Sequence, residues 1–228
     1  MKIALCLSGQ PRGLVKAYEY VQRNVLCCND VDVFCHVWNE EEKVKSLYKP
    51  KKILAESQNK IKLNKEYKTR DNINHPAINT FCFFYSLYMA NNLREEYEKE
   101  NNIKYDIVIR SRYDFAIARC LNFCEYDPDK IWTPLIKIPM PSTFVCTDQF
   151  AFSSSQNMSV YSKIYEKIQY YYDTGVLING EDLLAAHVKN FNLIHKISYV
   201  DMWDPFFGGK YNYGPHSLVR DDMEQWIK

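Results

Sequence analysis

The sequence predicts one α/β domain in which helices flank a mostly parallel central sheet. Short apolar runs that end in turn residues predict buried strands, and amphipathic segments of helical period lie between them. Composition agrees, since 228 residues with 46% hydrophobic and 25% charged side chains suit a single large globular domain. We therefore expect residues 1–228 to form one domain, with a first half of about 1–118 and a second half of about 119–228.

The first half of the chain supplies the opening of the sheet. Residues 3–7 (IALCL) are a predicted buried strand that ends in the turn cluster 8–11. Apolar residues spaced three and four apart predict an amphipathic helix over 14–25. Strands follow over 30–37 and 52–55, and strand, helix, strand at this spacing is typical of a parallel sheet.

The remaining elements alternate in the same way as far as residue 191. Residues 56–76 are polar and aperiodic, which predicts a long surface loop. We then expect these elements in order: a helix over 77–100, strands over 105–110, 130–133 and 144–153, and helices over 158–172 and 180–191, the last capped by Asn179. The tail, residues 195–228, is aromatic and shows no clear periodicity.

Charge and hydropathy exclude two broad classes of protein. The 29 Lys and Arg residues balance 28 Asp and Glu residues, whereas nucleic-acid binders usually carry a strong basic excess. The basic stretches 43–52 and 60–70 suit solvated loop faces. No apolar run approaches the ~20 residues of a membrane helix, and the first run is too short for a signal peptide. We expect a cytoplasmic protein without a membrane span or a nucleic-acid partner.

The eight cysteines do not predict a metal site. Cys6, Cys35 and Cys82 lie in apolar runs, where a reduced cysteine packs as a small hydrophobic side chain. Cys120 and Cys124 are spaced as C-x3-C, but no second matching pair accompanies them, as a structural zinc site would need.

Ligands of open α/β sheets bind at the carboxyl ends of the strands. The loop SGQPRG, which follows the first predicted strand, is therefore a candidate binding loop. Ser8 and Gly9 allow a ligand to approach the backbone closely, and Arg12 could hold a diphosphate with two parallel hydrogen bonds. The spacing differs from the phosphate loop of P-loop ATPases. The same residues also suit a tight turn with an exposed arginine, and both interpretations stay open.

A second group of charged residues follows the predicted central strand in the segment IRSRYDF. Arg110, Arg112 and Asp114 alternate, so an extended backbone turns all three toward one face of the sheet. They suit a structural salt-bridge cluster. They also suit a nucleotide-diphosphate site, in which Asp114 holds a divalent cation and an arginine neutralises phosphate oxygens.

Acidic residues mark two later loops. Asp148 precedes an apolar strand, where it either caps a turn or orients an acceptor hydroxyl. Glu181 and Asp182 lie in the first turn of a helix, where the helix dipole favours acids. Asn179 and Asp182 also match the pattern of a capping box. Neither the helix dipole nor the capping box requires an acid at both Glu181 and Asp182. In the tail, His216 could reach back as a metal ligand or phosphate contact.

Taken together, these blocks resemble a known family. IALCLSGQPR, DVFCHVW, YDIVIRSRYDF, TDQFAFSS and GEDLLAAHV are similar in order and spacing to segments of small glycosyltransferases of the GT-A fold, a Rossmann-like architecture. Such proteins occur in large DNA viruses and in bacterial surface-polysaccharide pathways. The likeness covers roughly residues 1–195, and the abundance of Lys, Asn, Ile and Tyr is consistent with an AT-rich viral genome.

The resemblance implies a nucleotide-sugar donor, carrying for example UDP or GDP, bound across the first half of the sheet. Ser8, Gly9, Gln10 and Arg12 would lie against the nucleotide and the diphosphate, with Arg110 and Arg112 beside them. Asp114 would take the place of the last acid of the family's D-x-D motif, which binds Mn²⁺ or Mg²⁺. This chain has Arg112 where the first acid is expected, so Arg112 could itself stabilise the leaving diphosphate.

The resemblance also implies roles for the second half of the chain. Asp148 would bind the acceptor, a glycan or a protein, and Glu181 or Asp182 would match the base of inverting members. Two other functions stay open. The first is a sugar nucleotidyltransferase, although the loop after the first strand of such enzymes is usually longer and richer in glycine than SGQPRG. The second is a nucleotide-sugar-binding module without catalysis, which would explain why Arg112 replaces the first acid of the D-x-D motif.

Overall fold

The computed structural model describes residues 1–69, 76–117, 119–135 and 145–202, and this part of the chain forms an α/β fold. Its strands are β1 (Ile3–Gly9), β2 (Val31–Trp38), β3 (Lys52–Glu56), β4 (Ile107–Arg112), β5 (Ile131–Pro134), β6 (Phe150–Ser153) and β7 (Ile197–Val200). Its α-helices are α1 (Leu14–Val21), α2 (Glu41–Tyr48), α3 (Ala77–Asn101), α4 (Ser155–Tyr161), α5 (Ile168–Asp173) and α6 (Gly180–Asn190).

The seven strands form one sheet in the order β3-β2-β1-β4-β6-β5-β7. β1 pairs in parallel with both β2 and β4, and β2 pairs in parallel with β3. β6 runs antiparallel to β4 and β5, and β7 is again parallel to β5. The predicted single, mostly parallel sheet is therefore confirmed.

Helices cover both faces of the sheet, which explains why β1 is apolar without interruption from Ile3 to Leu7. In β1, Ile3, Leu5 and Leu7 pack with α1 and α2 on one face. The smaller Ala4 and Cys6 face α3 and the later helices on the other. Small side chains on this face let α3 cross close to β1 and β2.

Two elements were missed by the sequence prediction. The stretch 43–52 was interpreted as a loop face, yet α2 covers most of it, because Val44 and Tyr48 are buried one helical turn apart among charged residues. The tail interpreted as aperiodic contains β7, a strand of only four residues beside β5.

Other predicted elements need smaller corrections. The helix predicted over 14–25 ends at Val21 and continues as a π-helical turn, Gln22–Leu26. The helix predicted over 158–172 is α4 and α5 joined by a 3-10 segment, Ser162–Lys167. The surface loop predicted over 56–76 begins with a 3-10 turn, Gln58–Lys60, and residues 70–75 lie outside the described part. Phe144 and His216 also lie outside it. In the described ranges no helix has the length and apolarity to cross a bilayer.

A buried ion pair joins α3 to α4 and to the start of the central strand. The Arg94 guanidinium is fully buried and donates to Glu98 Oε2 at 2.7 Å and to Ser155 Oγ at 2.6 Å. Glu98 Oε1 accepts the backbone N–H of Tyr105 at 2.9 Å. Burial alone would raise the pKa of Glu98, but the Tyr105 N–H and the Arg94 charge lower it below its ordinary value. The carboxylate is therefore charged at neutral pH.

Removing that carboxylate should strongly destabilise the fold. We expect Glu98→Gln to lower the free energy of unfolding by about 3–5 kcal/mol, because Arg94 then loses its buried partner and keeps only the longer contact of 3.4 Å with the more exposed Glu95. Urea unfolding at pH 7 measures this loss. In the control Glu41→Gln, which removes the partner of the exposed Lys45, we expect no measurable change.

The difference in the free energy of unfolding between wild type and Glu98→Gln should depend on pH. Glu98 stabilises the fold above the pKa of its unfolded form, and this stabilisation disappears as the pH falls through its lower folded pKa. The difference between wild type and Glu98→Gln should therefore shrink in acid. A variant as stable as wild type at pH 7 would contradict this role for the pair.

Candidate functional site

A cleft opens where the chain reverses its direction of travel across the sheet. From β1 the chain proceeds to β2 and β3 on one side, then crosses through α3 to β4 on the other side of β1. The carboxyl ends of β1 and β4 lie at this switch point, where open α/β sheets bind their ligands. The cleft there has a volume of about 580 Å³. That volume suits a small organic ligand, since such sites typically measure about 300–1,000 Å³.

The cleft brings together most of the residues that the sequence singled out. Its lining includes eight of them: Ser8, Gly9, Gln10, Arg12, Arg112, Asp114, Asp148 and Glu181. Arg110 lies beneath the lining, and Asp182 is not part of it. Sequence reasoning missed Gln58, Thr80 and Phe83, which come from a loop and a helix face that carried no motif, and Gln149, which lies beside Asp148 in TDQFAFSS but was not singled out.

Arg112 and Asp114 form a bidentate ion pair on the floor of the cleft. Nε and Nη2 of Arg112 donate to the two carboxylate oxygens of Asp114, both at 2.7 Å. Tyr113 between them points away and donates its hydroxyl to the carbonyl of His36 at 3.2 Å. Burial alone would lower the pKa of Arg112, but Asp114 raises it, and the guanidinium stays charged.

Arg110 lies one layer deeper on the same face of β4. Its residue is only 1% exposed, and none of its three guanidinium nitrogens has a hydrogen-bond partner among the described residues. The guanidinium stacks against Phe83 of α3, 4.8 Å from the ring centroid, and Phe83 itself lines the cleft. Burial lowers the pKa of Arg110, while the charges of Asp148 and Asp114 oppose that change.

Unsatisfied buried polar atoms concentrate at this cleft. In the described part of the chain, seven buried side-chain nitrogen and oxygen atoms lack partners, and five of them belong to Ser8, Gln149 and Arg110. Buried polar groups in folded proteins are nearly always hydrogen-bonded, so a cluster of exceptions calls for an explanation. A polar ligand in the cleft would provide partners for Ser8 and Gln149, which line it, whereas Arg110 lies beneath the lining.

The sheet register brings these atoms to one edge. Ser8 of β1 is paired with Arg112 of β4. On the other side of β4, Ser111 is paired with Phe150, so Gln149 lies at the next step, beside Arg112. Three adjacent strands thus present a hydroxyl, a guanidinium and an amide side by side.

Carboxylates form the facing wall, at the start of α6. Asn179 Oδ1 caps this helix by accepting the backbone N–H groups of Glu181 at 3.0 Å and Asp182 at 3.3 Å. Asp148 packs against Gly180 so closely that a Cβ at Gly180 would overlap its carboxylate. Of the two acids in the first turn, Glu181 reaches the cleft.

Two of the histidines have structural roles. His36 is fully buried between Ser86 Oγ at 2.7 Å and Glu56 Oε2 at 3.2 Å, and burial lowers its pKa. His187 lies between the hydroxyl of Tyr171 at 2.9 Å and the carbonyl of Val160 at 2.8 Å. Burial lowers the pKa of His187 to about 4, so its ring is neutral at pH 7.

The Arg112–Asp114 ion pair engages the carboxylate that the resemblance assigns to a divalent cation. Both oxygens of Asp114 face the Arg112 guanidinium, whose positive charge opposes a second cation at the same carboxylate. Within the described ranges, no three His, Cys, Asp or Glu side chains are grouped to hold a metal ion. Mn²⁺ or Mg²⁺ at Asp114 therefore stays a prediction of the resemblance.

Comparison with known proteins assigns no family. Neither a family model nor a curated protein sequence matches this chain significantly. A function must therefore be argued from the cleft itself: its location at the switch point, its cationic floor and its acidic wall.

The close packing of Asp148 on Gly180 can be tested without a ligand. We expect Gly180→Ala to lower the free energy of unfolding by about 1–3 kcal/mol, because the added methyl overlaps the Asp148 carboxylate. In an Asp148→Ala background the same substitution should be neutral or stabilising by up to about 1 kcal/mol, since alanine favours a helix over glycine. Urea unfolding of all four proteins measures this coupling. Equal effects in both backgrounds would contradict the contact.

Proposed function

We propose that this protein is a glycosyltransferase that moves a sugar from a nucleoside-diphosphate sugar to a hydroxyl group of a glycan or protein. The observation that carries the proposal is the cluster of unsatisfied buried polar atoms beside Arg112, at the switch point of the sheet. A diphosphate is rich in acceptor oxygens and carries the negative charge that such a floor would neutralise.

The loop after β1 is suited to the diphosphate and its nucleoside. Gly9 has a φ of 114°, a conformation that favours glycine, and a Cβ there would meet nothing within 4 Å. Open space at this position supports close approach of a ligand to the backbone. Ser8 Oγ can donate to a phosphate oxygen, and the exposed Arg12 can close over the outer side.

The chemistry requires positive charge at the leaving group. The bond between the anomeric carbon and the diphosphate oxygen breaks, and guanidinium groups stabilise the charge that develops on that oxygen. Arg112 supplies such a group on the cleft floor. The buried charge of Arg110, against the Phe83 ring, adds to it. No step in this scheme depends on a metal ion.

A base must receive the acceptor's proton in the inverting form of this reaction. As the acceptor oxygen bonds to the anomeric carbon, its proton passes to a carboxylate within hydrogen-bond reach. Because Glu181 lines the cleft and Asp182 does not, we assign this role to Glu181. Asp148, on the same wall, would orient the acceptor hydroxyl.

One observation favours a second candidate, a nucleotide-sugar-binding module without catalysis. The ion pair with Arg112 engages Asp114, the residue that matches the family's metal-binding acid. A module of this kind would bind the donor in the same cleft and would not consume it. Donor hydrolysis separates the two candidates, because active transferases slowly transfer their sugar to water.

Donor hydrolysis by the purified protein tests the proposal. We expect it to release nucleoside diphosphate from one member of a panel of UDP-, GDP- and dTDP-sugars, measured by chromatography with and without Mn²⁺. Glu181→Gln should slow this release by about 10²–10⁴-fold, the usual contribution of a general base. Asp182→Asn should cause a smaller loss, because that side chain lies outside the cleft lining.

The possible failures are distinguishable. A donor that raises the thermal midpoint but is never hydrolysed would contradict catalysis and favour the binding module. A larger loss in Asp182→Asn than in Glu181→Gln would overturn the assignment of the base.

A further inference from the structure

Two exposed cysteines on the surface away from the cleft lining are in direct contact. Cys28 follows the π-helical turn Gln22–Leu26, and Cys120 lies in the segment after β4. They are 92 positions apart in the sequence, yet their Sγ atoms are 3.5 Å apart. Both thiols are free and exposed.

The backbone around these thiols holds them together. Asn24, which is buried, donates its side-chain amide to the carbonyl of Ile117 at 2.7 Å. Its own carbonyl accepts the N–H of Leu121 at 3.4 Å. Leu121 and Val25 belong to the same buried cluster beneath. The proximity of Cys28 and Cys120 therefore follows from the fold and does not depend on two flexible side chains meeting by chance.

We propose that Cys28 and Cys120 are a covalent modification site, at which a peroxide converts the two thiols into an intramolecular disulfide. One thiolate attacks a peroxide oxygen, which gives a sulfenic acid and releases the other oxygen as water or an alcohol. The second thiol then attacks the sulfenic sulfur, the S–S bond forms and the hydroxyl leaves as water. The two thiols lose two electrons and two protons, and the peroxide gains them.

The geometry requires only a small adjustment. The Sγ atoms must approach from 3.5 Å to the ~2.05 Å of a disulfide bond. Both residues are exposed, and the Cys28 thiol, which also donates to the carbonyl of Arg23 at 3.4 Å, would give up that weak hydrogen bond. The contact with Cys120 raises the pKa of the Cys28 thiol, because a second thiol beside it disfavours the thiolate.

The remaining cysteines explain why this pair would react selectively. Cys6, Cys35, Cys82 and Cys146 are buried, and burial raises the pKa of each thiol, to about 12 for all but Cys82. Burial also keeps a peroxide away from these thiols, whereas Cys28 and Cys120 are exposed to it. Cys27 and Cys124 are exposed, and they serve as internal controls because the structure gives neither an Sγ contact with another cysteine.

A disulfide here would cross-link distant parts of the fold. Cys120 lies six residues after Asp114, which is on the cleft floor. The disulfide bond would tie Cys120 to the end of the π-helical turn Gln22–Leu26, which follows α1. The closed loop contains β2, β3, α3 and β4. Closing a loop of this length restricts the unfolded chain, so the oxidised protein should be more stable than the reduced one.

Peroxide treatment of the full chain tests the proposal. Hydrogen peroxide is added, the remaining thiols are alkylated, and a non-reducing peptide map is compared with that of the dithiothreitol-reduced protein. We expect a peptide that links Cys28 to Cys120 and disappears on reduction. The thermal midpoint should rise by about 5–10 °C on oxidation.

Matched variants identify the pair. Cys28→Ser and Cys120→Ser should each abolish both the linked peptide and the rise in midpoint, whereas Cys27→Ser and Cys124→Ser should retain both. A disulfide between other cysteines, a link only between two molecules, or a linked monomer with an unchanged midpoint would overturn the proposal. None of these outcomes depends on the proposed glycosyltransferase activity.

Discussion

The parallel pairing of β1 with β2 on one side and β4 on the other is the constraint on which the cleft depends. It makes β1 the strand at which the chain changes direction, so that two loops diverge at its carboxyl end. It also sets Ser8 beside Arg112, in register. The two buried faces of β1 differ in side-chain size, so a shift of one residue, which would exchange the large side chains of one face with Ala4 and Cys6 of the other, is disfavoured.

Two buried arginines show how the same side chain serves two purposes. Arg94 is fully buried, and its two terminal nitrogens donate to Glu98, Asn91 and two serines. Arg110 is equally buried and has a ring stacked on it but no hydrogen-bond acceptor within the described ranges. An unpartnered buried cation weakens a fold, so the stability contributed elsewhere must offset it. This cost is understandable if the positive charge beneath the cleft attracts an anionic ligand into it.

The sequence predicted those parts of the fold that have strong local signals. Strong local signals are the apolar runs of β1, β2 and β4 and the 25-residue length of α3. The signals of the missed elements are weak, since α2 has only two buried apolar residues in eight and β7 has four residues in all. At the site, Ser8 and Arg112 could be predicted because they follow the apolar runs of β1 and β4 and so mark the carboxyl ends of these strands. Phe83 and Gln149 could not, since only the packing of α3 and the antiparallel β6 brings them to the cleft.

The central claim is that the polar atoms at the ends of β1 and β4 bind a diphosphate. Isothermal titration with UDP and GDP, each compared with its nucleoside, tests it most directly. The account predicts that one diphosphate binds at least about 10-fold more tightly than its nucleoside, as one hydrogen bond to a charged group would give. This preference should be lost in Arg112→Gln and kept in Arg23→Gln, at an exposed arginine. Equal binding of nucleoside and diphosphate, or a preference that survives Arg112→Gln, would contradict the account.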